Sequence, residues 1–310
     1  MHKGTFVINQ IKTKWQRANQ RGDISTALIA LTPAMLLFLV FNLYPLFYSG
    51  YLSLLKWDGF SDNKEYVGFE HYRTFLTSEE FGNSLEVTIV YTIGVTVISI
   101  ALGLILAALL NSGIRGQTIY RVLYFLPVVT STIAVAIVWR YLLTPYTGYV
   151  DVFLRNLDIS SPQPTWLRNT DWALRVIMLV GIWKRLGFNI VIYLAGLQSI
   201  PREYYEAARV DGAGPVRTFR SITIPLIAPI TLLLVIMSII DSFLIFDVVY
   251  VMTSGGPLHS TEVIGLLLYN QAFKYFNMGE ASAIAWVIFA IVFMVTMFQW
   301  MIFGTRGQKA

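Results

Sequence analysis

Six stretches of the chain, 26–48, 85–110, 122–143, 173–197, 224–251 and 281–303, are predominantly apolar and reach the length of about 20 residues that a helix needs to cross the hydrocarbon core of a bilayer. Few architectures survive that constraint. A backbone in lipid must satisfy its own polar groups, and helices do so locally. Composition agrees: 55% of the 310 residues are hydrophobic and 13% are charged, against about 25% charged in soluble domains. The expected fold class is an all-α membrane protein with six transmembrane helices. Lys3, Lys12, Lys14, Arg17 and Arg21 precede the first span, which is too long for a signal-peptide core and has no evident small-residue cleavage site. It is expected to stay in the mature protein.

Several function classes fall away on composition. The formal charge of +5 is scattered among apolar spans rather than gathered in a stripe, so no nucleic-acid partner is expected. There is no cysteine, and His2, His71 and His259 are far apart in sequence, so neither disulfides nor a metal site are expected. No Gly-Lys dipeptide occurs, hence no phosphate-binding loop of the G-x-x-x-x-G-K-[ST] type. No catalytic constellation of nucleophile, base or metal ligands converges either. The chain is expected to act by motion, without a bound cofactor.

Orientation follows from the basic residues of alternate connections, because cytoplasmic segments hold the excess. One set contains the five tail residues, Arg115, Arg121, Arg202, Arg209, Arg217, Arg220, Arg306 and Lys309. The other contains Lys56, Lys64, Arg73, Arg155, Arg168 and Lys274, diluted by Asp58, Asp62, Glu65, Glu70, Glu79 and Glu80. Both termini are therefore expected in the cytoplasm. The outer loops carry Trp57, Phe60, Tyr66, Phe69, Tyr72, Tyr146, Tyr149, Trp166 and Trp172, suited to anchoring at the membrane surface or to meeting an external partner. No internal repeat is evident.

The longest cytoplasmic connection, between the fourth and fifth spans, is punctuated like two short helices. Pro201 suits a first helical position, 204–210 continue the helix, Gly212 and Gly214 permit a sharp turn, and Pro215 restarts a helix. Ala207 and Ala208 allow close approach of another surface, with Glu206, Arg209 and Asp211 beside them for charge pairing. These features fit a docking knob and equally a surface hairpin without a partner.

The order Glu206-Ala207-Ala208, then Gly212, then Ile222 and Pro225 resembles the EAA loop of the permease subunits of bacterial and archaeal ABC importers. Asp211, Ala213, Phe219 and Pro229 also fit the form found in carbohydrate-uptake permeases, as do WKRLGFNIVIYLAGLQSIP before the loop and FDVVYVMTSGGP after it. The resemblance spans about 44–303, is strongest over 183–257, and points to the first of the two permeases of a maltose or glycerol-phosphate type system. It implies a MetI-like permease core of five helices plus one N-terminal helix. The chain would then divide into a basic tail (1–25), a first helix with its outer loop (26–84), the permease core (85–303) with the coupling loop at 199–225, and a short tail (304–310).

The same resemblance implies a heterodimer with a second permease subunit in a bacterial or archaeal cytoplasmic (inner) membrane. Two ATP-hydrolysing subunits, which hold ATP and Mg, would sit at the cytoplasmic face, and an extracytoplasmic solute-binding protein would deliver a carbohydrate. Glu206, Ala207, Ala208, Asp211, Gly212, Ala213, Phe219, Ile222 and Pro225 would form the coupling element, Glu206 seating in the ATPase cleft and Gly212 bending the chain.

Ionisable residues inside a span are costly and mark a pair or a pathway. Lys184 and Arg185 interrupt the fourth span, and Asp241 and Asp247 the fifth. At ~1.5 Å rise per residue, Lys184 lies ~21 Å from Gln198, Asp241 ~26 Å and Asp247 ~35 Å from Ile224. Asp241 is thus expected to neutralise Lys184 or Arg185, with Asp247 nearer the outer surface. Such a pair either fixes two helices or, with Trp183, Phe188 and Asn189, lines a substrate path. The resemblance favours the path, since in maltose-type permeases residues around this tryptophan contact sugar. An incompletely neutralised Arg185 would favour a carboxylate or phosphate; a neutral oligosaccharide is the default. Ser242, Phe246 and Tyr250 extend the path or serve helix packing. The competing function, an ion-gradient-driven secondary transporter using the same charges, leaves the loop from Glu206 to Pro225 unexplained.

Overall fold

A computed structural model describes residues 26, 28–111, 117–157 and 165–301. The tails 1–25 and 304–310, and the last residues of the sixth apolar stretch, lie outside the described residues. In chain order the elements are α1 (Leu28–Leu52), β1 (Leu55–Lys56), β2 (Glu65–Tyr66), α2 (Glu70–Leu76), α3 (Glu79–Asn111), α4 (Gln117–Val129), α5 (Thr132–Leu142), α6 (Tyr149–Asn156), α7 (Thr170–Ser199), α8 (Arg202–Val210), α9 (Pro215–Phe243), α10 (Asp247–Met252), α11 (Ile264–Tyr269) and α12 (Met278–Gln299). Five of these, α1, α3, α7, α9 and α12, are long and apolar enough to cross a membrane, and a sixth crossing arises if α4 and α5 are taken as one.

That third span is not straight. α4 and α5 meet at 106°, where Thr130, Ser131 and Thr132 interrupt the apolar run. Hydroxyl residues favour helix ends over interiors, and Ser131 adopts the extended conformation of an N-cap. The fifth span also departs from expectation at both ends. α9 begins at Pro215, so the second short helix of the cytoplasmic loop is simply its first turn. α9 stops at Phe243, Phe246 is non-helical, and Asp247 opens α10, where its carboxylate suits the positive end of a helix.

Two prolines shape the long helices by one device. Pro45 and Pro225 each follow a π-helical turn, Leu39–Leu43 and Phe219–Thr223, in which the Tyr44 and Ile224 amides reach back to the Leu39 and Phe219 carbonyls. A proline ring crowds the carbonyl four residues before it, and the wider π turn makes room.

The core forms where α3, α7 and α9 pack side by side. Towards the 200–214 loop, Ala107 and Leu110 meet Ile190, Tyr193, Leu194 and Leu197, with Ile227 and Leu234 closing the cluster. Towards the other end, Val87, Tyr91 and Val95 meet Ile177 and Val180, and α5 and α10 add Val135, Ala136, Val248 and Val249. Gly187 permits the α4–α7 contact: a Cβ there would lie 2.0 Å from the Tyr124 carbonyl oxygen. Outside the core, α1 is exposed along its candidate span, but Trp286 Nε1 of α12 donates to Ser49 Oγ at 3.2 Å.

The connection between α10 and α12 is folded inward. Ile264, Leu266 and Leu267 of α11 are buried, the Ile264 amide donates to Thr88 Oγ1 at 2.9 Å, and Ile264 and Leu267 share a cluster with Phe75, Phe81, Ile284 and Ile288. The small sheet pairs Leu55 with Tyr66 and Lys56 with Glu65, and it caps α12 through the Gly279 amide, which donates to the Trp57 carbonyl at 3.3 Å.

Candidate functional site

Two constellations stand out: a charged and aromatic cluster deep in the helices, and the loop at their far end. In the first, α7 supplies Trp183, Lys184 and Arg185. Consecutive helical residues are about 100° apart, and the two cations accordingly reach different neighbours. Arg185 forms an ion pair with Asp241 of α9. Lys184 instead donates to the Thr130 carbonyl at 3.2 Å and to Thr132 Oγ1, so its ammonium ties the break between α4 and α5. Asp247 lies within electrostatic reach of Lys184.

The two partners of the ion pair are unequally placed. The Arg185 side chain is 15% exposed and that of Asp241 60%. Arg185 Nε and Nη2 are buried without a hydrogen-bond partner in the described structure, while the guanidinium carbon lies 5.4 Å from the Phe188 ring centroid. A guanidinium has five donors and one carboxylate oxygen occupies few of them.

Two groups of aromatic rings lie on α5, α7 and the segment from Phe246 to Phe273. Trp183, 40% exposed, meets Trp139 of α5 edge-on at 5.9 Å between ring centroids. Phe246 stacks on Tyr250 at 5.2 Å and lies 4.8 Å from Tyr269, which in turn is 5.2 Å from Phe273. Phe246 and Tyr250 sit in the break and in α10 rather than on the helix of Asp241. Trp139, Tyr269 and Phe273 escaped the sequence reading. Trp139 lies on the second half of a broken span, and the other two in a segment read as an outer loop; no sequence signal marked them.

Two expected path residues face elsewhere. Asn189 is 0% exposed, and its Nδ2 donates to Ser99 Oγ of α3 at 3.2 Å. Ser242 is buried as well. Both lie in the helix packing of the described chain.

At the loop, α8 is capped by Pro201, which stands one position before the first helical residue instead of at it. Glu206, Ala207 and Asp211 are exposed. Ala208 is 7% exposed, so it packs against its own chain and is not presented beside Ala207. Gly212 has φ +72°, a left-handed turn that glycine adopts without the steric cost of a Cβ. Gly214 is extended and needs no such freedom. Ala213, Phe219 and Ile222 are half-buried and Pro225 is exposed. Among the described residues no group of His, Asp and Glu could hold a metal.

Long apolar helices, a broken span and a buried arginine at mid-helix define a polytopic membrane protein. The chain belongs to the family described as binding-protein-dependent transport system inner membrane component, which matches residues 99–303. The family resemblance carried by the loop motif is thus borne out. The chain is 33% identical to the probable ABC transporter permease protein YurN of Bacillus subtilis (strain 168) over 281 residues, covering 90% of this chain and 96% of that one. It is 33% identical to the multiple sugar-binding transport system permease protein MsmF of Streptococcus mutans over 268 residues, covering 86% and 90%. Its fold matches a chain in the crystal structure of a bacterial ABC transporter involved in import of the acidic polysaccharide alginate, with a TM-score of 0.78, 22% identity, and coverage of 94% of this chain and 98% of that one.

Proposed function

We propose that this chain is the permease subunit of an ATP-driven, binding-protein-dependent importer of a carbohydrate, forming half of the translocation path beside a second permease. The observation that carries this reading is the Asp241 carboxylate, 60% exposed on the flank of an apolar helix and paired with an arginine near the middle of α7. A charge at that depth does not face lipid and calls for a protein-lined or aqueous surface. Trp183, Phe188, Phe246 and Tyr250 would supply ring faces for sugars, and Lys184, Arg185 and Asp241 polar groups for hydroxyls. The names of relatives in sugar transport support a carbohydrate. The unpartnered Arg185 donors favour a substrate bearing a carboxylate or phosphate, beside neutral oligosaccharides.

Energy would enter at α8. Glu206 and Ala207 face outward for docking in an ATPase subunit that binds ATP and Mg, while Gly212 fixes the turn behind them. An extracytoplasmic solute-binding protein would deliver substrate at the opposite end, with both termini of this chain in the cytoplasm of a bacterial or archaeal cell.

The test is ATP hydrolysis by the reconstituted complex with binding protein, across neutral and acidic oligosaccharides. Substrate-stimulated hydrolysis in the native complex, abolished by Glu206→Ala and Gly212→Pro, is expected. Unchanged hydrolysis and uptake in both variants would overturn the coupling role.

A further inference from the structure

α8 is joined to the membrane helices in two obvious ways, through Ile200 and Pro201 to α7 and through the Gly212 turn to α9. A third connection is made by side chains. Tyr205, partly buried on α8, places its hydroxyl 3.2 Å from Thr223 Oγ1. Thr223 is 5% exposed and is the last residue of the π turn Phe219–Thr223, directly before the regular helix that carries Asp241.

The faces of α8 divide accordingly. Tyr205 and Ala208, three residues apart and so on one side, turn towards the chain's own helices. Glu203, Glu206, Ala207 and Val210 turn away from it. The Ala213 amide donates to the Ala208 carbonyl at 2.8 Å, which draws the turn onto that inner side. A push on the outer face therefore has a side-chain route to α9 through the Tyr205 hydroxyl, beside the backbone turn of 211–214.

The receiving point is also an irregular part of α9. π turns interrupt the regular i→i−4 ladder and are found at functional sites, and Pro225 removes an amide donor. We propose that the Tyr205–Thr223 hydroxyl pair is a positioning link that transmits displacement of α8 into α9 at its π turn, and so to the Asp241–Arg185 pair. This rests on the coupling reading of the loop and names the residues through which it acts.

The chain has no cysteine, so Leu244→Cys, at the exposed residue just past α9, gives it a single thiol. Its labelling rate with a membrane-impermeant maleimide is measured in the reconstituted complex, with and without trapping by MgATP and vanadate. Trapping is expected to change the rate in the Leu244→Cys parent. Tyr205→Phe and Thr223→Val, each added to it, should cut that response about five-fold, in line with loss of one net hydrogen bond. Thr223→Ser should keep the response, and the double variant should be no worse than either single one. The ATPase subunits should co-purify throughout. A parental response in Tyr205→Phe and Thr223→Val, additive losses in the double variant, or loss of the ATPase subunits from the variants would overturn the link. A parent that does not respond to trapping would instead overturn the coupling reading itself.

Discussion

Lys184 and Arg185 are neighbours in sequence with different structural roles. One ties a broken helix; the other holds a carboxylate on a separate helix. Sequence placed both cations opposite Asp241, because depth along a helix is readable from residue counting. It could not choose between them, because rotation about the helix axis is set by packing. Removing Asp241 leaves Arg185 buried without a partner. Asp241→Ala should therefore destabilise the chain by ~1–3 kcal/mol, less than the ~3–5 of a fully buried pair because Asp241 is exposed on one side. Thermal unfolding in detergent measures this. The double change Arg185→Met with Asp241→Leu should restore stability and leave uptake abolished. Uptake surviving in that double variant would mean that the pair only fixes two helices. Asn189 shows the same limit of sequence, since its rotation turns it onto Ser99 in the core, and Ser242 lies on the packing side that the sequence left open.

At the scale of elements, apolar length was legible and helix continuity was not. Hydropathy averages composition over a window, and neither the 106° bend nor the stop at Phe243 changes that average. The loop was legible through Gly and Pro, whose backbone constraints are local; the merging of its second helix into α9 was not. Two glycines make contrasting predictions. Gly187→Ala puts a Cβ 2.0 Å from the Tyr124 carbonyl, which must part α4 from α7 at a cost of at least ~1–3 kcal/mol and reduce folded yield on size exclusion. Gly212→Ala meets nothing within 4 Å and costs only the left-handed backbone, ~1–2 kcal/mol, so that variant should still assemble. The 57–64 turn gives a pH prediction. The amides of Ser61 and Phe60 donate to Asp58 Oδ1 at 2.8 and 2.9 Å and hold its carboxyl below the usual range. Its contribution is present above the unfolded value near 3.8 and lost as pH falls through the lower folded value. Protease cleavage in 57–64 should rise in acid for native protein, and already at neutral pH for Asp58→Ala.

For the molecule as a whole, one test concerns sidedness. The cysteine-free chain allows single thiols at Asp62 and Glu206, expected to react with impermeant maleimide from opposite sides of the membrane, Asp62 from outside. Labelling of both from one side would refute the orientation. The inward-folded stretch from α10 to α11 bears on how the protein is made. Each of those helices has 6 residues, too few to be retained in lipid as a span, since about 20 are needed. In the proposed orientation the stretch would cross the membrane during synthesis, and α11 would settle between α3 and α12 only after α12 has been inserted. That end of the bundle would then be completed last, with Ile264 and Leu267 uncovered until α12 arrives, a window in which a chaperone on that side of the membrane would find its substrate.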